Sequence, residues 1–209
     1  MEYTTLINGM IETIKSYGLD NEKIFDAMRK AKRHRFLPQY APEDVYNDGP
    51  LPIGNGQTIS QPYTVAFMLH HLELKEGLNV LEIGAGSGWN AALIKEIVGE
   101  KGKVTAIEYN PELTKHAKEV LTKEGFGVEV IEGNGAYGYQ KNAPYDRIIV
   151  TCASPEIQQP WIEQLAKGGI IVAPIGEFLQ LMIKAKKEGN ELVTEKLGNF
   201  RFVPLQGAE

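Results

Sequence analysis

Residues 79–89 read Asn-Val-Leu-Glu-Ile-Gly-Ala-Gly-Ser-Gly-Trp, a short apolar run that breaks into three alternating glycines before a helical pattern begins. An apolar run of that length, bounded by glycine, reads as a buried strand. Glycines spaced this way let the chain turn tightly and open directly into a helix. A strand, a glycine turn and a helix in that order begin a crossover unit, which commits the chain to an α/β fold. The same turn puts free helix N–H groups and bare backbone at the carboxyl end of the strand, where a ligand can approach closely.

The rest of the chain keeps that rhythm. Strand patterns at residues 80–83, 104–107, 128–131, 147–151 and 170–173 alternate with helical ones at 89–98, 110–121 and 156–165. Alternation of this kind predicts a doubly wound, Rossmann-like sheet, mostly parallel and covered on both faces. Beyond Pro174, the apolar runs 179–185 and 192–197 are separated by Lys186-Lys187-Glu188-Gly189-Asn190, too little chain for a crossover helix, so they predict an antiparallel hairpin at the far edge. A length of 209 residues accommodates one such domain and not two. The expected parts are residues 1–61, with helices and a loop, a 62–175 cofactor-binding core, and a 176–209 hairpin with a substrate-side segment.

Before the sheet, Leu6, Ile7, Met10, Ile11 and Ile14 recur at helical spacing and Gly18 supplies a stop. Asp20 can cap a second helix carrying Ile24, Phe25 and Met28, and the basic run at residues 29–35 reads as its solvated end, cations complementing the helix dipole. Residues 38–62 turn to Pro, Gly and polar types. A structureless stretch that long inside a domain is uncommon and often functional, so this loop is a site candidate. Pro62 then starts a helix with Ser60 or Gln61 near its cap and Val65, Phe67, Met68, Leu69 and Leu72 on its buried side.

Three details select the ligand of the glycine turn. A dinucleotide fingerprint begun at Gly84 needs a third small residue at position 89, which is Trp89. Glu82 stands two residues before Gly84, and a carboxylate there suits the ammonium and sulfonium of S-adenosylmethionine better than a pyrophosphate. Glu108, at the end of the next strand pattern, is placed to accept from ribose hydroxyls, a feature that both cofactor classes share. Asn134 and Gly135 follow the third strand pattern at the crevice, where an Asn can bond an adenine edge. Taken singly these residues are ordinary turns and strand ends; in this order they favour the methyl donor.

A net charge of −5 disfavours nucleic acid as a partner, and no apolar run approaches the ~20 residues of a membrane-spanning helix. With one cysteine, Cys152, and no secretory pattern at the N-terminus, a cytoplasmic protein is expected. Cys152 reads as a small buried residue, and Trp89 and Trp161 as packing. His34, His70, His71 and His116 show no metal-ligand spacing, so no metal is expected.

With these residues in place, the chain resembles the protein-L-isoaspartate O-methyltransferase family, enzymes that methylate isoaspartyl residues in age-damaged proteins. The similarity spans nearly the whole chain. It rests on Pro50-Leu51-Pro52-Ile53-Gly54, on Gly56-Gln57-Thr58-Ile59-Ser60-Gln61-Pro62, on residues 81–89, on Ala143-Pro144-Tyr145-Asp146, on Gly168-Gly169 and on Phe202-Val203-Pro204-Leu205. The block from Gln57 to Pro62 is the specific one, since generic methyltransferases share the glycine turn and lack it.

The resemblance implies that Ser60 is catalytic and that Thr58 and Ser60, with Val203, Pro204 and Leu205, hold the isoaspartyl peptide. It implies a cofactor set of Gln57, Thr58, Ile59, Glu82, Gly84, Ala85, Gly86, Ser87, Glu108, Tyr109, Asn134 and Gly135, with S-adenosylhomocysteine as the product and a monomeric enzyme. One departure is Asn134, where the family usually has Asp; an altered adenine contact is expected. The implied acceptor is a free α-carboxylate, ionised at neutral pH because its reference pKa is about 3.5 to 4, so no general base is required. Ser60 would aim it by hydrogen bonding, and the methyl ester would then collapse to a succinimide that hydrolyses partly to aspartate. Two alternatives share the cofactor half: a methyltransferase for a small molecule or another side chain, and a cofactor-binding scaffold without activity, against which the intact 57–62 block argues. Ser60 read without the resemblance is a helix cap.

Overall fold

A computed structural model of the chain describes residues 3–189 and 191–207. The helices α1 (Tyr3–Ser16), α2 (Glu22–Lys30) and the single-turn α3 (Pro42–Val45) come first, followed by a small hairpin of β1 (Leu51–Gly54) and β2 (Gln57–Ile59) and by α4 (Pro62–Leu72). The alternating part comprises β3 (Asn79–Ile83), α5 (Trp89–Val98), β4 (Lys103–Glu108), α6 (Pro111–Lys123), β5 (Glu129–Glu132), β6 (Tyr145–Val150), α7 (Gln159–Gln164) and β7 (Leu165–Ile175). A hairpin of β8 (Gln180–Glu188) and β9 (Glu191–Phe200) ends the sheet; Asn190, in the expected turn, lies outside the described residues.

Seven strands run in the order β5-β4-β3-β6-β7-β8-β9. Every pairing from β5 to β7 is parallel, and β8 and β9 are antiparallel, as the lack of a crossover after Pro174 predicts. Strand β3 pairs with β4 on one side and with β6 on the other, so the chain reverses its direction of travel across the sheet at β3. Crossovers on the two sides of that point diverge and leave a crevice at the carboxyl ends of the strands, the usual ligand site of such sheets.

The two faces are covered unequally. Val80, Val104, Ala106, Ile149, Ile170 and Val172 pack under the α1, α2, α4, α5 and α6 layer. On the other face Leu81, Ile83, Ile107, Ile148 and Val150 meet Trp161 of α7, Tyr145, and the partly buried Val203 and Leu205 of the C-terminal segment. The thinner face thus brings the end of the chain to the crevice.

Several local expectations change. The basic run does not extend α2 into solvent: α2 stops at Lys30, and residues 33–36 form a 3-10 turn that buries Arg33 completely. The Arg33 guanidinium lies 4.5 Å from the Trp89 ring centroid, and its Nε donates to the Val45 carbonyl at 3.0 Å. Stacking on an indole and a carbonyl partner offset part of the desolvation, and burial still pulls the Arg33 pKa down to about 9. Lys30 pairs with Glu96 and Arg35 with Glu124, while Trp89 Nε1 donates to the Ala31 carbonyl at 2.7 Å. These cations therefore form a seam between the N-terminal helices and the α5–α6 layer. The N-cap of α2 is Asn21 rather than Asp20, without a side-chain capping bond.

The 38–62 segment is not structureless, because α3 and the β1–β2 hairpin occupy much of it. Helix α7 begins at Gln159 rather than at 156, since Ser154 Oγ donates to the Glu156 carbonyl and Gln158 Nε2 donates back to Ser154 Oγ, holding a non-helical turn. Gln61 is the N-cap residue of α4, as expected, but its side chain makes no capping bond to the helix. Asp48 supplies that bond from a distance: its Oδ1 accepts from Tyr63 N at 2.9 Å and its Oδ2 from Gln61 Nε2 at 2.7 Å.

Candidate active site

The crevice is built by strand ends. Ile107 at the end of β4 accepts from the backbone N–H groups of both Gly84 and Ala85, at 2.9 and 3.0 Å, which fixes the turn leaving β3 against its neighbour. Thr151, just past β6, closes the turn from the opposite side by donating Oγ1 to the Gly84 carbonyl at 2.6 Å. Gly84 has φ +96°, and a Cβ there would stand 2.5 Å from Thr151 Oγ1. Gly84→Ala is therefore expected to lower stability by ~1–3 kcal/mol through backbone strain and overpacking. It should also abolish measurable S-adenosylhomocysteine binding in calorimetry, with the thermal midpoint reporting the stability loss.

Two connected hollows flank this turn. The outer one is lined on one wall by Gly84, Gly86, Glu108 and Tyr109 and on the other by Gly135, Thr151 and Cys152. Glu108 is largely buried; its Oε2 accepts from Gly86 N at 2.8 Å and its Oε1 from Asn110 N at 3.0 Å. Two backbone donors lock the carboxylate at the rim, and each oxygen keeps a second lone pair for a hydroxyl. Tyr109 is half-exposed beside it, a flat surface on which a base can stack. Cys152 is buried, and burial raises its thiol pKa to about 12, so it stays a protonated, inert part of the wall.

The inner hollow lies between the β1–β2 hairpin and the start of α5, with Thr58, Ile59 and Ser60 facing Glu82, Ala85 and Ser87. Glu82 is fully buried. One of its oxygens accepts from Asn90 Nδ2 at 2.7 Å, and the other, Oε2, has no partner. Burial pushes its pKa up to about 8, against the smaller lowering effect of the Asn90 hydrogen bond. A buried acceptor left unpaired is costly, and a cationic donor entering this chamber removes that cost. Ser87 is buried and its Oγ accepts from Trp89 N at 3.3 Å, a local bond at the head of α5.

Ser60 lines the inner hollow, held between the hairpin that precedes it and α4, whose first turn Asp48 bonds. A third, more open groove adjoins it, where Thr58 and Gln61 meet Tyr63, Phe200, Phe202, Val203 and Pro204. Ala153 holds the extended 203–205 segment by accepting from Leu205 N and by donating to the Val203 carbonyl, both at 2.8 Å. Thr58 lines all three spaces, and Val203 and Pro204 line both the outer hollow and the groove. Cofactor-side and substrate-side candidates thus converge. Among the described residues no group of three or more His, Cys, Asp or Glu side chains gathers as a metal site.

Asn134, next to Gly135, makes two bonds within the chain. Its Oδ1 accepts from Ala136 N at 2.9 Å and its Nδ2 donates to the Gly207 carbonyl at 2.6 Å. Gly135 does line the outer hollow. Sequence reasoning did not find Thr151, Asn90, Asp48 or Gln206. Thr151 had a signal, since it follows the strand that flanks the turn; Asn90 and Asp48 act through contacts 8 and 13 to 15 residues away, which no local pattern announces.

The sequence model of the protein-L-isoaspartate(D-aspartate) O-methyltransferase family matches residues 6–209. Protein-L-isoaspartate O-methyltransferase 2 of Archaeoglobus fulgidus is 46% identical over 209 residues, covering 99% of this chain and 95% of that one. The protein-L-isoaspartate O-methyltransferase of Methanoculleus marisnigri is 48% identical over 196 residues, covering 93% and 88%. A solved protein-L-isoaspartate O-methyltransferase superposes with a TM-score of 0.89 at 32% identity, covering 96% of this chain and 66% of the longer solved one. A Plasmodium falciparum protein assigned to the same enzymes, solved with S-adenosyl-L-homocysteine, has the same fold, with a TM-score of 0.85 at 22% identity and coverage of 95% and 97%.

Proposed function

The chain belongs to the protein-L-isoaspartate(D-aspartate) O-methyltransferase family, and from that premise we propose how its own residues divide the work of the reaction. It is a repair enzyme that transfers a methyl group from S-adenosylmethionine to the α-carboxylate of L-isoaspartyl residues. The observation that carries the assignment of roles is the orphaned oxygen of the fully buried Glu82, a residue that lines the same hollow as Ser60.

The residues present fit the methyl donor. The Gly84 turn is a cradle that a Cβ would fill, Glu82 offers an unpaired acceptor to an ammonium, and Glu108 offers lone pairs to a ribose. When bound, S-adenosylmethionine supplies an electrophilic methyl group on a positively charged sulfur. Glu82, Gly84, Ala85, Gly86 and Ser87 hold its amino-acid end, and Glu108 with Tyr109 and Gly135 forms the nucleoside end, beside which Asn134 stands. Gln57, Thr58 and Ile59 close the space from above.

Ser60 donates a hydrogen bond to one oxygen of the substrate carboxylate and leaves the other aimed at the methyl. No proton has to move, because the acceptor is already an anion. Apolar walls of Ile59, Val65 and Met68 exclude water from the inner hollow, and the fixed orientation of the two partners lowers the barrier. Val203, Pro204 and Leu205 present an extended edge to the peptide. The reading extends to a monomer acting on isoaspartyl proteins and peptides, and to a cytoplasmic location, the latter supported by the one cysteine, Cys152, lying buried as a free thiol. No helix of the described residues is long and apolar enough to cross a membrane.

Incubation with labelled methyl donor and two peptides that differ only in Asp or isoAsp tests the assignment. Label is expected in base-labile ester on the isoaspartyl peptide alone. Equal labelling of both peptides, or label stable to base, would move the acceptor elsewhere.

A further inference from the structure

We propose that Asn134 is a positioning residue that fastens the C-terminal segment across the nucleoside end of the cofactor cleft through the Gly207 carbonyl. The proposal rests on the cofactor reading above. Asn134 Oδ1 is turned toward the backbone N–H of Ala136, and that bond fixes which way the amide nitrogen points. Nδ2 then meets the Gly207 carbonyl at 2.6 Å. An aspartate can make the first of these bonds and not the second, because an ionised carboxylate has no hydrogen to donate.

Gly207 supplies an independent observation. Its φ is +76°, and a Cβ there would sit 2.7 Å from Asn134 Nδ2 and 2.8 Å from Tyr109 Cε2. The contact therefore needs both an amide at 134 and a glycine at 207. The segment between its two anchors is short. Ala153 holds Val203 and Leu205 by backbone bonds at one end, and Asn134 holds Gly207 at the other. Gln206, which bridges the anchors, lines the outer hollow together with Leu205, Glu108 and Tyr109. The bridge lies over the nucleoside end, and its release opens the cleft on that side.

Asn134→Asp and Gly207→Ala, singly and together, break the link at either partner. For each, S-adenosylhomocysteine affinity is measured by calorimetry and its dissociation by stopped flow, and carboxypeptidase trimming of the full chain is followed with and without S-adenosylhomocysteine. Each single variant is expected to release the product about three- to tenfold faster and to raise the KM for S-adenosylmethionine correspondingly, a defect that saturating methyl donor overcomes. The double variant should be no worse than the poorer single one, because both break one link. S-adenosylhomocysteine should slow trimming of the wild type and not of the variants. Asn134→Asp binding the product as tightly as wild type, or more tightly, overturns the proposal, since that is the result for a residue that accepts from the purine. Additive defects, or equal protection from trimming in all forms, overturn it as well. A wild-type chain that binds no S-adenosylhomocysteine overturns the cofactor reading and the fastening with it.

Discussion

Ser60→Ala is expected to slow methylation of an isoaspartyl peptide about 10- to 100-fold while the affinity for S-adenosylhomocysteine stays within a factor of two. The size follows from the interaction removed. A hydrogen bond to a charged group contributes ~1.5–3 kcal/mol, and each ~1.4 kcal/mol is a tenfold change in rate when it is made in the transition state. The split between rate and affinity follows from the assigned roles: Ser60 lines the inner hollow and is assigned to the substrate carboxylate, while the contacts assigned to the amino-acid and nucleoside ends come from other residues. Stability should not change, because α4 is capped by Asp48 and not by Ser60. Single-turnover methyl transfer with saturating donor is the measurement, and a wild-type rate in the variant removes Ser60 from the reaction.

Cofactor affinity is expected to rise with pH up to about pH 8, and this dependence should vanish in Glu82→Gln. With burial holding the Glu82 pKa up at about 8, the ligand-free enzyme carries a protonated carboxyl at pH 7. Pairing with the cofactor ammonium requires the anion, so binding at pH 7 expels a proton. Affinity therefore falls as pH drops below about 8, approaching tenfold per unit. At higher pH it declines again, once the α-amino group of the ligand loses its own proton. The folded-state shift has the matching sign for stability: a carboxyl raised on folding stabilises most below its unfolded value of 4.5, and the contribution is lost as pH rises toward 8. Calorimetry at pH 7 in two buffers of different ionisation enthalpy counts the expelled proton. At pH 8, Glu82→Gln should bind about 10- to 100-fold more weakly than wild type, converging with it near pH 6. A pH-independent wild type would mean that Glu82 does not meet the ammonium.

The cofactor half of the site was legible because its requirements are local. Backbone that must turn within a few residues and admit a ligand calls for glycines at Gly84 and Gly86, and a strand end must carry the acid at Glu82 or Glu108. Sheet order and the antiparallel edge followed from the lengths of chain between apolar runs. What was not legible depends on distance in the chain. A charged residue at helical spacing looks the same whether it faces water or lies under another helix, so Arg33 read as solvated although Trp89, far along the chain, covers it. Likewise Asp48 looked like one more polar loop residue, because the N–H it satisfies belongs to a helix that starts well after it. The β1–β2 hairpin was missed for another reason: its strands have four and three residues, and one of them contains Pro52, which weakens any strand pattern.

The stacking of Arg33 on Trp89, together with the Trp89-to-Ala31 hydrogen bond, has a consequence for cooperativity. Trp89 is the first residue of the helix that begins at the glycine turn, so the head of that helix is packed against chain laid down more than fifty residues earlier. The N-terminal helices and the ligand-binding turn then open as one unit rather than fraying separately. Ligand bound at the turn stabilises the beginning of the chain, and damage to the beginning of the chain lowers ligand occupancy at the turn.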